Sequence, residues 1–89
     1  MYYVYIIKSR KDGKFYIGST ADVEKRLHYH NSGKQRSTKN RLPFDLVYTE
    51  SFENNTLALA REKQIKSFKG GRAFKLLMEN FSNSATNNL

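Results

Sequence analysis

The chain has no cysteine and no tryptophan, a single proline, and no apolar run longer than its opening Met1–Ile7. Each absence closes a class. Without cysteine, disulfide frameworks and thiolate zinc sites are excluded, and two histidines cannot build a structural zinc site without carboxylate help. A bilayer span needs about 20 apolar residues, so no membrane span or membrane partner is expected. Met1–Ile7 meets a lysine at once and lacks a small-residue cleavage pattern, which argues against a signal peptide and for a cytoplasmic protein. There is no repeat and no glycine-rich phosphate loop of the nucleotide-binding kind.

Acid is scarce as well. The 89 residues carry 16 Lys and Arg against 8 Asp and Glu, a formal charge of +8. The isoelectric point is near 9.9. Such an excess on a small domain favours a polyanionic partner, and its distribution points to nucleic acid. Lys25 to Arg41 holds six basic residues and no acid; Arg61 to Lys75 holds six with Glu62 alone against them. A fold that joins these stretches presents a one-sided positive surface. A chain of this length is one domain, expected over residues 1–81, and buries roughly 60% of its unfolded surface, enough to fold without staples.

What is present begins with two β-branched and aromatic runs, Tyr2 to Ile7 and Phe15 to Ser19, separated by Asp12-Gly13. Asp-Gly between such runs signals a two-residue hairpin turn, because a type I′ turn needs positive φ at both central residues. Counting outward from it puts Ser9 opposite Tyr16, Ile7 opposite Gly18 and Tyr5 opposite Thr20. Side chains alternate faces along a strand, so Tyr5, Ile7, Tyr16 and Gly18 share one face. Taken alone, the tyrosines read as packing residues and Gly18 as a bulge or a close approach.

A helix follows, capped at Thr20 or Asp22 and stopped at Asn31-Ser32-Gly33. Val23 and Leu27, with Tyr29 or His30, form its apolar stripe, and Arg26 and His30 are neighbours beside it. Gly33 to Pro43 is basic and aperiodic, hence a surface loop; Lys34, Arg36, Lys39 and Arg41, interleaved with Ser37, Thr38 and Asn40, are the donors that phosphate contacts use. Leu46 to Phe52 supplies a third strand. Asn54-Asn55-Thr56 caps a second helix that ends at Phe68 or Lys69 before Gly70-Gly71. On it, Glu62 sits beside the apolar positions Ala58, Leu59 and Ile65. A carboxylate there must pair with a cation, for which Lys66 is placed, bind a metal, or lie at a cleft edge. A last helix from Arg72 to Asn80 buries Phe74, Leu77, Met78 and Phe81, and the tail 82–89 has the composition of a disordered segment.

Tyr3-Val4-Tyr5, Tyr16-Ile17-Gly18, Arg26, His30 and Glu62, in that order within a small basic chain, resemble the GIY-YIG nuclease superfamily, and its small stand-alone bacterial members most of all. The first motif departs from the pattern, since Tyr3 replaces glycine and Val4 replaces isoleucine, but the tyrosine used for chemistry is kept as Tyr5. The resemblance implies an α+β fold, a three-stranded antiparallel sheet flanked by helices. It also implies metal-dependent cleavage of DNA phosphodiester bonds. By that resemblance Tyr5 is the general base, Tyr16 orients water or phosphate, Arg26 binds the scissile phosphate, and Glu62 holds one Mg²⁺ or Mn²⁺ ion. Asn80 is the nearest match to an asparagine that members carry in the terminal helix.

A free phenol with a pKa of about 10 is only about 0.1% ionised at neutral pH, so a tyrosine base needs help. Neutral His30 is placed to accept its hydrogen bond. Two other classes compete with the endonuclease: a nucleic-acid-binding module that has lost turnover, and a basic domain that docks on another protein. With no added domain to choose a substrate, selectivity is expected from a protein partner, self-association, or the shape of the DNA.

Overall fold

The computed structural model describes the backbone of residues 1–87 and the side chains of residues 1–81. Strands β1 (Tyr2–Ser9), β2 (Phe15–Thr20) and β3 (Phe44–Phe52) form one antiparallel sheet in the order β2-β1-β3. Helix α1 (Val23–Asn31) lies between β2 and β3 in the chain, and α2 (Asn55–Ser67) and α3 (Arg72–Asn87) follow. This is the expected α+β architecture. The most apolar strand, β1, is central, and Val4 to Ile7 along it are all buried, as a strand covered on both faces should be.

The hairpin differs from expectation by two residues. Tyr5 pairs with Gly18 and Ile7 with Tyr16, and the strands are joined by the five residues Arg10–Lys14. The reason is Ser9. Its buried hydroxyl accepts from the amides of Lys11 (3.1 Å) and Asp12 (3.2 Å), and its carbonyl accepts from Gly13 N at 2.9 Å. These bonds stabilise a wider loop, in which Gly13 alone has positive φ (73°). A shift of two residues preserves the pleat, where a shift of one would have inverted every side chain. Tyr5, Ile7, Tyr16 and Gly18 therefore still share a face.

The sheet separates two cores. On the face of Tyr5 and Ile7, α1 contributes Val23 and Leu27 against Phe44, Tyr16 and Leu42. On the other, Val4, Ile6 and Tyr48 meet Ala58 and Ile65 of α2 and Phe74 of α3, with Leu77, Met78 and Phe81 packed alongside. Each large aliphatic buried this way contributes about 1.5–3 kcal/mol. Asp22 caps α1 by accepting from Lys25 N, and Asn54 caps α2 by accepting from Leu57 N.

Two boundaries move. Strand β3 starts at Phe44, earlier than Leu46, because the Asn31 side chain clamps the Phe44 backbone, accepting from its N–H at 2.7 Å and donating to its carbonyl at 3.2 Å. Helix α3 continues past Asn80 to Asn87, since no glycine or proline interrupts it. The tail expected to be disordered, 82–89, overlaps these last turns and otherwise lies outside the described residues. No helix among the described residues is long and apolar enough to cross a membrane.

Candidate active site

The site is built on the β2 edge of the sheet. Because Gly18 lies opposite Tyr5 and has no side chain, the phenol ring lies across it: a Cβ at position 18 would come within 2.5 Å of the Tyr5 Oη and 2.7 Å of its Cζ. The glycine is thus required by the ring rather than by its own backbone. Tyr16 stacks beside Tyr5 with ring centroids 6.5 Å apart and 28° between planes. Both tyrosines face α1, as the strand alternation requires.

From α1, His30 reaches under them and is buried. Its Nε2 is 3.0 Å from the Tyr5 Oη, and its ring is 4.8 Å from that of Tyr16. Its Nδ1 is 3.0 Å from Thr38 Oγ1, in the loop after α1. Burial, and secondarily the charge of Arg26, lower the His30 pKa below its ordinary 6.5, so the imidazole is neutral at pH 7. The Tyr5 phenol moves the other way. Burial raises its pKa most, the neighbouring Tyr16 and Glu62 add to the rise, and Arg26 opposes it. Tyr5 therefore rests protonated, bonded to a neutral imidazole.

Arg26, one turn before His30, is exposed and lines an open cleft of about 450 Å³ with Thr20, Ala21, Asp22, Lys25 and Tyr29. Its guanidinium lies 5.5 Å from the Tyr29 ring centre, and it has no salt bridge among the described residues. A cation so placed is free to receive an anion.

Glu62 comes from the opposite face of the sheet. Ser19, next to Gly18 but pointing to the α2 side, donates to Glu62 Oε1 at 2.7 Å, and Lys66 Nζ lies 2.6 Å from Oε2. Only 17% of the Glu62 side chain is exposed. Ser19 and Gly18 are neighbours on the edge strand β2, so Glu62 and Tyr5 meet this strand from opposite faces. No group of three or more His, Cys, Asp or Glu residues that could cage a metal occurs among the described residues. A lone carboxylate fits Mg²⁺ or Mn²⁺ only in the manner of ions that keep most of their waters and borrow oxygens from a phosphate.

The other expected contacts divide. Lys34, Arg36 and Lys39 are exposed on the loop and have no salt bridge among the described residues. Arg41 is engaged: its Nε lies 3.2 Å from Asp12 Oδ2 and its guanidinium packs on Phe44. Asn80 is exposed on α3 and has no hydrogen bond to the other site residues among the described residues. Thr38, expected among the loop's phosphate donors, is instead fully buried and bonded to His30, because the loop folds back over α1. Ser19 escaped sequence reading altogether, since it looks like an ordinary strand serine and only the pairing of distant segments brings it to Glu62.

A tyrosine laid over a glycine, a second tyrosine stacked beside it, a histidine bonded to the first and an arginine one turn earlier on the same helix coincide with a family match. Residues 1–73 fit the model of the GIY-YIG catalytic domain. The chain belongs to the GIY-YIG family. Its relatives include the UPF0213 protein of Staphylococcus saprophyticus, 44% identical over 79 residues, which cover 88% of this chain and 95% of the relative. A UPF0213 protein of Haloquadratum walsbyi is 43% identical over 68 residues, 75% of each chain. The solution NMR structure of the UPF0213 protein BH0048 from Bacillus halodurans superposes with a TM-score of 0.53 at 37% identity, covering 85% of this chain and 82% of that one. GIY-YIG membership implies a nucleic-acid substrate and a nuclease domain, and nucleases of this family are generally dependent on divalent metal.

Proposed function

We propose that this GIY-YIG protein is a metal-dependent endonuclease that hydrolyses DNA phosphodiester bonds. The observation that carries the reading is the buried hydrogen bond between the Tyr5 phenol and neutral His30. A buried polar pair is costly to keep unless the fold or the chemistry needs it. Here it solves the problem of a tyrosine base, since the raised Tyr5 pKa leaves almost no phenolate to act alone. As water attacks phosphorus, its proton passes to Tyr5 Oη while the Tyr5 proton passes to His30 Nε2. The new P–O bond forms as the bond to the leaving oxygen breaks, and that oxygen takes a proton from solvent. His30 returns its proton through Tyr5 when product leaves.

Arg26, in its open cleft one turn before His30, binds the scissile phosphate and offsets charge as it grows. Tyr16 packs against Tyr5 and His30 and keeps both rings in place. Glu62 would hold a divalent ion, Mg²⁺ or Mn²⁺, which when bound supplies positive charge for the leaving oxygen. Lys34, Arg36 and Lys39 carry the sequence-independent affinity for the backbone. Strand scission by the purified protein, assayed with Mg²⁺ and with Mn²⁺ on duplex, nicked, flapped, branched and single-stranded DNA and on RNA, tests this reading.

One observation favours the reading as a binding module without turnover. Lys66 lies on the Glu62 oxygen that a metal would need. That reading requires salt-dependent DNA binding with no scission under any metal.

A further inference from the structure

The buried hydrogen-bonded chain extends one step beyond the histidine, into a loop that sequence alone marks only as basic. Thr38 is fully buried, as are His30 and, nearly so, Tyr5, so every proton in the chain needs an acceptor. Three contacts define it: Tyr5 Oη with His30 Nε2 at 3.0 Å, His30 Nδ1 with Thr38 Oγ1 at 3.0 Å, and Thr38 Oγ1 with the Gln35 carbonyl at 3.4 Å.

A neutral imidazole carries one proton, and a hydroxyl donates one. If Nε2 held the proton, it would donate to Tyr5 and Thr38 would donate to Nδ1. The Tyr5 O–H would then have no acceptor among the described residues. If Nδ1 holds the proton, Tyr5 donates to Nε2, Nδ1–H donates to Thr38, and Thr38 donates to Gln35. Only the second direction gives all three donors a partner.

We infer that Thr38 is a positioning residue that holds His30 in the Nδ1–H tautomer, so that the Nε2 lone pair is aimed at the Tyr5 hydroxyl. The consequence rests on the nuclease reading: this tautomer alone can take the Tyr5 proton as Tyr5 accepts one from water, giving an imidazolium with both N–H groups bonded. Thr38 needs no rearrangement during the transfer, because its oxygen accepts from Nδ1–H before and after. The other charged or titratable groups facing His30 are Arg26 and Tyr29 on α1, Tyr16 on β2 and Tyr5 on β1; none of them bonds Nδ1. A loop read as a phosphate contact is thereby also part of the catalytic apparatus, with Thr38 as its buried anchor between the exposed Arg36 and Lys39.

The test is the tautomer itself, read by long-range ¹H–¹⁵N correlation at pH 7.5, where two histidines, His28 and His30, give a spectrum simple to assign. The wild-type protein should show His30 with a protonated Nδ1 and an imine Nε2. Thr38→Val, nearly isosteric but without the hydroxyl, should move His30 toward the Nε2–H form and lower DNA cleavage with Mg²⁺ on the order of 100-fold, the scale of one proton transfer. Thr38→Ser should restore both the spectrum and the rate. An Nε2–H tautomer in wild type, or an unchanged tautomer in folded Thr38→Val, overturns the inference. Should the Val variant not fold, the wild-type and Ser spectra still decide it. Absence of cleavage by a wild-type protein whose His30 has the stated tautomer would refute the nuclease reading and leave the Thr38 assignment standing.

Discussion

Replacing Gly18 with alanine tests how tightly the site is assembled. The added Cβ meets the Tyr5 Oη at 2.5 Å and Cζ at 2.7 Å, whereas ordinary contact begins near 3.4 Å, so the ring must retreat by about 1 Å. A ring tip can often swing away cheaply, but Tyr5 is only 3% exposed, stacked by Tyr16 and tied to His30. Overpacking of this kind costs about 1–3 kcal/mol. For a domain of this size that lowers the thermal midpoint on the order of 10 °C. The displaced Oη also leaves bonding distance of His30 Nε2, and loss of that transfer should slow cleavage about 10²–10⁴-fold. Calorimetry, the His30 ¹⁵N spectrum and a single-turnover cleavage assay measure the three effects on one sample. A Gly18→Ala variant with the parent's midpoint, spectrum and rate would refute the packing argument and the role given to the Tyr5–His30 bond.

Glu62→Gln should remove cleavage while costing little stability, since the Lys66 partner is 53% exposed and such i,i+4 pairs contribute only about 0.3–0.5 kcal/mol; near-parental cleavage with an unchanged metal requirement would take Glu62 out of the site. Neutralising Lys34, Arg36 and Lys39 together should weaken DNA binding at every sequence and flatten its salt dependence by up to about three counterions, and an unchanged slope would dissociate the loop from the backbone. Cleavage should fall as pH drops below His30's ordinary 6.5 and through its depressed folded value, because protonated His30 cannot accept from Tyr5. Stability should follow the same sign: the contribution of neutral buried His30 is complete above 6.5 and is lost as pH falls through the folded pKa, which His30→Gln should abolish.

Much of this was legible in the chain because the relevant signals are local. Strand alternation placed Tyr5 and Tyr16 on one face, and that inference survived a wrong turn length, since the error was an even number of residues. The stripe Phe74, Leu77, Met78 and Phe81 packs as its spacing predicts. The hidden parts are those set by long-range pairing. The Ser9 hydroxyl that widens the hairpin loop competes with the Asp-Gly turn signal through bonds no propensity encodes. Thr38 contacts His30 across eight positions, and Ser19 meets Glu62 across 43. Arg41, equal to its basic neighbours in sequence, is drawn to Asp12 only because the folded loop lies against the hairpin.

The central claim is that Tyr5, assisted by His30, activates water for phosphodiester hydrolysis. The most direct measurement compares wild-type protein and Tyr5→Phe on the same panel of nucleic-acid substrates with Mg²⁺ and with Mn²⁺. Phenylalanine keeps the ring over Gly18 and removes only the hydroxyl, so the variant should stay folded and bind DNA as the parent does. Scission by wild type should be abolished by chelation and should fall at least about 100-fold in Tyr5→Phe. Scission by Tyr5→Phe at the parent's rate, or none by the folded wild-type protein on any substrate with either metal, would contradict the claim.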